Sequence, residues 1–338
     1  MTEMAKEYKI AVLGATGMVG REMLKVMEEY DIPVSDLRPL ASARSAGKKI
    51  TFKGREYTIE EATDSSFDGM DFVLGASENA ISMRFAPAIK KSGAVYIDNS
   101  SAFRLDEDVP LVVPEINGED AFKNNGIIAN PNCVTIITLM AVAGINKISP
   151  IKKIIASSYQ AVSGAGAGGL AELEEQVRQV AAGEPTTPNK FPMQIVNNVI
   201  PAIGGLLDNG YTKEEMKMQN EGRKILHLPE LRASCTCVRV PVYRSHAIAA
   251  TIITERKVSV EEANAAIAAF PGVELVTDLQ GRYYPTPLDS SDGDTVLVGR
   301  VREDLTDDNG LVVWCCGDQI RKGAASNAVQ IMKLLIEK

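Results

Sequence analysis

The sequence is poor in the residues that build metal centres and disulfide scaffolds. It has only two histidines, His227 and His246, so a histidine-rich metal site is not expected and we predict no bound metal. Its five cysteines include two crowded pairs, Cys235/Cys237 and Cys315/Cys316, and none has disulfide-framework or zinc spacing. We therefore expect all five cysteines to be reduced and the protein to be cytoplasmic.

Long apolar runs and an excess of positive charge are also missing. No stretch approaches the ~20 apolar residues of a membrane-spanning helix, and the charged segment from Met1 to Lys9 lacks the apolar core of a signal peptide. The 44 acidic residues outnumber the 36 basic ones, for a net charge of −8, which argues against nucleic acid or an anionic membrane as a partner. The 338 residues, 45% of them hydrophobic and 24% charged, fit a globular protein of roughly two domains.

The first pattern is a strand, a glycine turn and a helix. An apolar strand from Tyr8 to Leu13 leads into glycines at positions 14, 17 and 20, and a helical pattern runs from Arg21 to Tyr30. Glycines at this spacing let the backbone approach a phosphate at the helix N-terminus, as in dinucleotide-binding turns. The alternative is a generic strand-to-helix turn, and the flanking strand and helix favour the cofactor interpretation.

The segment after the second strand, which ends near Ala41, bears on the choice of cofactor. NAD-selective sites usually carry an acidic residue here for the ribose 2′-hydroxyl. This chain has Arg44 flanked by Ser42 and Ser45 instead, and a cation with hydroxyls suits a 2′-phosphate. The pattern favours NADP, the alternative being a solvated loop arginine.

Further strand–helix units predict a Rossmann-type, doubly wound α/β domain. A strand from Asp71 to Ala76 ends at Ser77, and another from Ala94 to Asp98 precedes a loop that carries Arg104. Polar residues in these positions lie at the carboxyl edge of a parallel sheet, where ligands bind. We predict an NADP-binding domain over 1–131, an α+β catalytic and dimerisation domain with a mixed sheet over 132–322, and a final helix, 323–338, that packs back on the first domain.

Cys133 is a candidate nucleophile. It follows Pro131 and Asn132, which read as a turn and a helix N-cap, so it is expected in the first turn of a helix running to Asn146. The N–H groups and dipole of a helix N-terminus favour a thiolate and can hold an oxyanion. The alternative is a small buried apolar residue.

Two further groups of polar residues are candidates. Strands from Cys235 to Tyr243 and from His246 to Glu255 are predicted to form a hairpin that places Arg239 and His246 on neighbouring strands. An arginine embedded in a strand needs an anionic partner, which is either an internal carboxylate or a substrate, and His246 is the better candidate for a general base. A capping box at 212–215 predicts a helix carrying Glu221 and Lys224 on one face, a solvated pair or a substrate contact.

Taken together, these residues resemble the aspartate-β-semialdehyde dehydrogenase family over nearly the whole chain. Each motif alone is weak, but all seven in order are highly specific. The motifs span Gly14–Gly20, Asn99–Arg104, Asn130–Cys133, Ser158–Gly164, Glu221–Lys224, Arg239–His246 and Gly323–Asn327.

The resemblance implies a reaction and a role for each residue. L-aspartyl 4-phosphate would acylate Cys133 with release of phosphate, and NADPH would reduce the thioester to L-aspartate 4-semialdehyde, in the biosynthesis of lysine/diaminopimelate, threonine, methionine and isoleucine. His246 would be the acid–base group, with Gln160 and Asn132 placing the reacting carbonyl. The implied substrate contacts are Arg104, Gln160, Glu221, Lys224 and Arg239, and the implied NADP contacts are Gly14, Thr16, Gly17, Met18, Val19, Arg44, Ser45, Ser77, Ser163, Gly164 and Asn327.

Other functions remain open from the sequence. N-acetyl-γ-glutamyl-phosphate reductase has the same chemistry on a substrate with a capped amine, which has no use for Glu221. A phosphorylating glyceraldehyde-phosphate dehydrogenase, a cysteine hydrolase and a non-catalytic NADP-binding redox sensor are further alternatives. The resemblance also implies a homodimer or a homotetramer.

Overall fold

The computed structural model describes residues 6–278 and 280–338, so part of the N-terminal segment considered above lies outside the described residues. The chain forms two compact units. The first contains the residues up to Asn132 together with Ala324–Lys338, and the second is continuous from Cys133 to Gly323.

The first unit is built on a six-stranded sheet in which every strand pair is parallel, in the order β5-β2-β1-β6-β7-β8. A parallel sheet with crossover helices is the doubly wound arrangement predicted for this part of the chain, and it is confirmed. Its elements are β1 (Tyr8–Leu13), α1 (Met18–Glu29), β2 (Val34–Ala41), the hairpin β3 (Lys49–Phe52) and β4 (Arg55–Thr58), β5 (Glu60–Glu61), β6 (Phe72–Gly75), α2 (Asn79–Ser92), β7 (Val95–Asp98), α3 (Pro114–Asn117) and β8 (Ile127–Ala129).

The glycines between β1 and α1 are required by close backbone approach. Gly14 has a φ of +91°, and a Cβ there would lie 2.6 Å from the carbonyl oxygen of Ala76. A Cβ on Gly20 would lie 2.3 Å from the carbonyl oxygen of Gly14. The turn can therefore fold against β6 only with glycine at both positions.

The second unit contains a mixed six-stranded sheet in the order β10-β9-β11-β14-β13-β12. Strands β9 and β10 pair in parallel, as do β12 and β13, whereas the pairs involving β11 and β14 are antiparallel, so the predicted mixed sheet is confirmed. Its elements are α4 (Cys133–Ile148), β9 (Ile151–Gln160), α5 (Ala167–Ala181), α6 (Lys213–Ile225), β10 (Arg232–Arg239), β11 (His246–Thr254), α7 (Val260–Ala268), β12 (Val273–Leu275), α8 (Pro287–Ser290), β13 (Val296–Glu303) and β14 (Gly310–Gly317).

The predicted hairpin between β10 and β11 is wrong. Strand β9 lies between them, parallel to β10 and antiparallel to β11. The connecting residues 240–245 instead cross the end of β9, where Val162 N–H donates to the Val242 carbonyl at 2.9 Å and Val240 N–H donates to the Gln160 carbonyl at 3.1 Å. Strand β10 ends at Arg239 rather than at Tyr243 because the chain turns away from the sheet at this crossing.

The chain returns to the first unit at its C-terminal end. The predicted helix from Gly323 begins instead as a π-helical turn, Arg321–Ala325, and continues as α9 (Ser326–Ile336). Apolar residues of α9, including Val329 and Met332, are fully buried in the core that contains Ile10 of β1. Among the described residues, no helix is both long enough and apolar enough to cross a membrane.

Candidate active site

Three polar side chains meet at the ends of adjacent strands in the second unit. Arg239 of β10 is paired with Gln160 of β9, and Tyr159 of β9 is paired with Ala247, the residue after His246 of β11. Gln160 therefore stands between Arg239 and His246, and all three side chains are at least nine-tenths buried. The sequence identified the three residues, whereas their order depends on the position of β9.

His246 is completely buried and held by the main chain. Its Nδ1 accepts a hydrogen bond from the Ala161 N–H at 3.0 Å, and its Nε2 has no hydrogen-bond partner among the described residues. Burial, followed by the charge of Arg239, lowers the pKa of His246 from 6.5 to about 3. The imidazole is therefore neutral at physiological pH.

Arg239 is buried beside it with a neutral partner. Its Nη1 donates to the Ala161 carbonyl oxygen at 2.6 Å, and burial lowers the pKa of the guanidinium. No ion pair joins Arg239 to a carboxylate within residues 6–278 and 280–338, so the internal salt bridge considered from the sequence is not formed. A buried guanidinium in this state favours an anionic ligand.

Gln160 is oriented by two neighbours, Ser158 of the same motif and Glu214, which lies outside the motifs. The Ser158 hydroxyl donates to Gln160 Oε1 at 3.1 Å, and Gln160 Nε2 donates to Glu214 Oε1 at 3.4 Å. The other oxygen of Glu214 pairs with Lys217 at 2.7 Å. These contacts fix which end of the Gln160 amide is the donor.

Cys133 is the first residue of α4, as the turn-and-cap pattern predicts. It is partly exposed, whereas the other four cysteines are buried. Burial raises the pKa of Cys315 to about 12, so that thiol is inert. A negative charge on Cys133 raises the pKa of Arg239 and so opposes the effect of burial. The two groups are therefore near each other.

Two glycines leave room around these groups. A Cβ on Gly164 would lie 2.9 Å from Nη1 of Arg239 and 3.2 Å from Cε1 of His246. A Cβ on Gly323 would lie 2.9 Å from Cβ of Cys133. A side chain at either position would therefore collide with a functional group.

The remaining predicted catalytic and substrate residues are distributed between the two units. Glu221, which is buried, and the half-buried Lys224 lie on α6, which packs against β10 and α4 in the second unit. Arg104 and Asn132 belong to the first unit, and both are buried. Arg104 Nη2 donates to the Asn99 carbonyl at 2.7 Å.

A cleft of about 400 Å³ lies at the carboxyl edge of the parallel sheet in the first unit. Its lining includes four of the predicted cofactor residues, Gly14, Thr16, Gly17 and Ser77. Gly17 is the N-cap of α1 and provides no side-chain acceptor to the first N–H groups of that helix. The donor set and the bare backbone fit a dinucleotide phosphate.

The other predicted cofactor residues differ in their surroundings. Met18 and Val19 open α1, and Arg44 and Ser45 lie in a short 3₁₀ turn next to Ala43, which lines the cleft. Asn327 is buried in α9 and donates to the Val112 carbonyl and to Asn130. Ser163, whose hydroxyl accepts from Gln319, and Gly164 belong to the second unit.

One lining residue of the cleft was not anticipated. Glu61 of β5 lies at its rim, because β5 pairs with the end of β2. The sequence gives no signal for it, since β5 is only two residues long.

Comparison with known proteins covers nearly the whole chain. A family model described as the NAD-binding domain of semialdehyde dehydrogenase matches residues 9–124, and one described as the semialdehyde dehydrogenase dimerisation domain matches residues 142–322. The aspartate-semialdehyde dehydrogenase of Aquifex aeolicus is 47% identical over 98% of both chains, and that of Synechocystis is 46% identical over 99% of both chains.

A solved structure agrees in fold as well as in sequence. Aspartate semialdehyde dehydrogenase II of Vibrio cholerae, described as complexed with ASA, superposes with a TM-score of 0.95 at 41% identity and 99% coverage of both chains. The resemblance predicted from the seven motifs is confirmed. The chain belongs to the aspartate-semialdehyde dehydrogenase family.

Proposed function

We propose that the protein is an NADP-dependent, phosphorylating aspartate-semialdehyde dehydrogenase, which reduces L-aspartyl 4-phosphate to L-aspartate 4-semialdehyde in amino-acid biosynthesis. The observation that supports this most is the set of buried groups beside Cys133. Arg239, Gln160 and His246 supply a cation, an oriented amide and a neutral imidazole within one unit. An acyl phosphate is already activated, so a thiolate with positioned donors suffices for acyl transfer.

Each group has a place in this chemistry. The Cys133 thiolate attacks the acyl carbon, the C–O bond to phosphate breaks, and a thioester forms. Asn132 and Gln160 position the thioester carbonyl. His246 is the acid–base group that acts at the oxygen of this carbonyl. The nicotinamide, when bound, supplies the hydride that reduces the thioester.

The substrate contacts separate this reaction from that of an acylated glutamyl phosphate. Arg239 pairs with the α-carboxylate in a bidentate arrangement that lysine could not provide. Glu221 is 2% exposed, and we assign to this carboxylate of α6 the free α-ammonium of the substrate, a group that a capped amine lacks. Arg104 and Lys224 hold the phosphate.

The cofactor preference rests on the end of β2. The exposed Arg44, with Ser45 beside it, provides the cation and hydroxyl that suit a 2′-phosphate. Ser77 and the glycine turn serve the pyrophosphate end of the cleft, while Ser163, Gly164 and Asn327 complete the set of cofactor contacts.

We also propose that the protein is a homodimer or a homotetramer in the cytoplasm. Ile155 and Tyr159, 56% and 39% exposed on one face of β9, provide apolar surface for a second subunit. The five free cysteines fit a reducing compartment. Light scattering of the purified protein tests the assembly, and a monomeric mass would contradict it.

The reaction is tested in its reverse direction. Purified protein is mixed with L-aspartate 4-semialdehyde, phosphate and NADP, and NADPH formation is followed by absorbance, with NAD in a parallel assay. We expect phosphate-dependent turnover that is faster with NADP and is lost in Cys133→Ala.

The matched control is Cys235→Ala, which removes a buried thiol of the same unit. Turnover with N-acetylglutamate semialdehyde alone would support the acylated-glutamate reductase instead. NADP binding without turnover of either aldehyde would support the redox sensor, and a failure to bind NADP would revive the cysteine hydrolase.

A further inference from the structure

Two buried polar side chains of α5 hold the irregular segment 186–200 in place. Glu172 and Gln176 lie one helical turn apart on the same face of α5, and both are more than nine-tenths buried. Glu172 accepts a hydrogen bond from the N–H of Phe191 at 3.3 Å. Gln176 accepts from the N–H of Ile195 at 2.9 Å and donates to Glu172 at 3.0 Å. Helix α5 therefore fixes the path of this segment by supplying acceptors for its buried N–H groups.

The same segment contacts Arg239 of the candidate site in two ways. Ile200 and Arg239 exchange both main-chain hydrogen bonds, with N–H to carbonyl distances of 2.9 and 2.8 Å. Nearer the start of the segment, the ring of Phe191 has its centroid 5.9 Å from Cζ of Arg239. A guanidinium over an aromatic face at about this distance is attracted to the ring. The segment therefore holds both the main chain and the side chain of Arg239.

The Phe191 ring is itself confined. It is 9% exposed and belongs to a small apolar cluster with five other buried residues, Val162, Leu173, Ile195, Val196 and Ile200. The guanidinium that it contacts also donates to the Ala161 carbonyl at 2.6 Å. Together, the ring and the carbonyl restrict a long side chain that would otherwise lose conformational freedom when it binds a ligand.

We propose that Glu172 and Phe191 are positioning residues that act on the substrate through Arg239. Glu172 fixes the main chain at Phe191, and the Phe191 ring fixes the guanidinium in the orientation that receives the α-carboxylate. A guanidinium arranged in advance loses less freedom on binding, which strengthens the binding of the carboxylate. This inference rests on the proposed function, in which Arg239 binds the α-carboxylate, and it adds two determinants of substrate affinity that do not touch the substrate.

Steady-state kinetics of Phe191→Leu test the role of the ring. Leucine keeps an apolar side chain in the cluster but has no aromatic face. We expect the KM for L-aspartate 4-semialdehyde to rise about tenfold, within the range for loss of one buried cation–π contact. The kcat should stay within about twofold, because the carboxylate is bound alike in the ground and transition states. The KM values for phosphate and NADP should not change. An unchanged KM for the aldehyde, or an equal rise in all three KM values, would contradict the proposal.

Glu172→Ala tests the other end of the chain of contacts. It removes the acceptor for the segment and leaves Phe191 and Arg239 intact. We expect the same selective rise in the KM for the aldehyde, together with faster amide hydrogen exchange in a peptide that covers 186–200. The matched control is Glu174→Ala, at an exposed position on the same helix, which should match the wild type in both measurements. Unchanged exchange in Glu172→Ala would show that Glu172 does not hold the segment. If Glu172→Ala does not fold, Phe191→Leu alone decides the proposal.

A double-mutant cycle separates positioning from a general disturbance of the site. Arg239→Gln removes the guanidinium, so Phe191→Leu should change kcat/KM for the aldehyde by less than about twofold in that background. An equal loss in the wild-type and Arg239→Gln backgrounds would mean that Phe191 does not act through Arg239. Normal turnover with unchanged KM values in both single variants defeats the positioning role alone. A wild type that does not reduce NADP with the aldehyde defeats the proposed function and the positioning role together.

Discussion

At the scale of single residues, the main chain of one residue orients two functional side chains. The N–H of Ala161 donates to His246, and its carbonyl oxygen accepts from Arg239. Every residue type except proline has both an N–H and a C=O, so no sequence pattern could reveal the arrangement. The types and positions of Arg239 and His246 could be predicted from the chain, but their bonding could not.

Gly164 offers a test of how tightly these two groups are packed. In Gly164→Ala, the new Cβ would lie 2.9 Å from Arg239 Nη1, so the guanidinium must move. We expect kcat/KM to fall by about 10²-fold, the effect that a displacement of about 1 Å can have on a positioned group. Steady-state kinetics measure this, and thermal unfolding should change little because the displaced atoms are at the end of a long side chain.

The matched control lies four residues further along. Gly168 is in the first turn of α5, and a Cβ there would meet only Lys190 at 3.8 Å, an ordinary contact. Gly168→Ala should therefore have wild-type kinetics. Equal kinetics for both variants would show that Arg239 is not held at the observed position.

At the scale of elements, the existence of the strands was predictable and their order was not. Strands β9, β10 and β11 each have apolar patterns that the sequence reveals. A short polar connection normally indicates a hairpin, but residues 240–245 cross the end of β9 instead. Pairing partners depend on contacts far apart in sequence, which local patterns do not encode.

The capping box of α6 couples this helix to the sheet. Glu215 accepts from the Thr212 N–H at 2.7 Å through one oxygen and from the Cys237 N–H of β10 at 3.0 Å through the other. Glu215→Ala would leave both buried donors unsatisfied, and each such loss costs about 1–3 kcal/mol. Because Glu221 lies on the same helix, we expect a lower free energy of unfolding in urea together with a higher KM for the aldehyde.

Helix α7 provides the comparison for this prediction. Glu262 accepts from the Ser259 N–H at 2.8 Å in the same type of capping box, but this box is exposed, and the other oxygen of Glu262 pairs with Arg256 in the loop before the helix at 3.2 Å. Glu262→Ala should cost about 1 kcal/mol or less and leave KM unchanged. If Glu215→Ala and Glu262→Ala lost the same free energy of unfolding and both kept the wild-type KM, the coupling between α6 and β10 would be refuted.

At the scale of the whole molecule, the sequence predicted both sheets but only part of what surrounds them. Parallel strands separated by helical patterns are enough to indicate the first sheet and the glycine turn at its edge. Glu61 reaches the cleft through an edge strand too short to leave a pattern. Asn327 was assigned to the cofactor by resemblance, yet its amide bonds to Val112 and Asn130 become visible only where α9 packs.

The buried neutral imidazole also makes the stability of the protein depend on pH. The pKa of His246 is lowered to about 3 in the folded state, against about 6.5 in an unfolded chain. Between these values the unfolded chain binds a proton that the folded protein excludes, so folding stability decreases as the pH falls through this window and recovers as it rises. The contribution is up to about 1.4 kcal/mol for each pH unit.

Urea unfolding of the wild type and His246→Gln across this range isolates the effect. Carboxylates also titrate in acid, but they are common to both proteins and cancel in the difference between the two curves. As the pH decreases from about 6.5, we expect the free energy of unfolding of the wild type to fall steadily relative to that of the variant. A difference that stays constant across the window would mean that the folded protein accepts the proton and that burial does not hold the imidazole neutral.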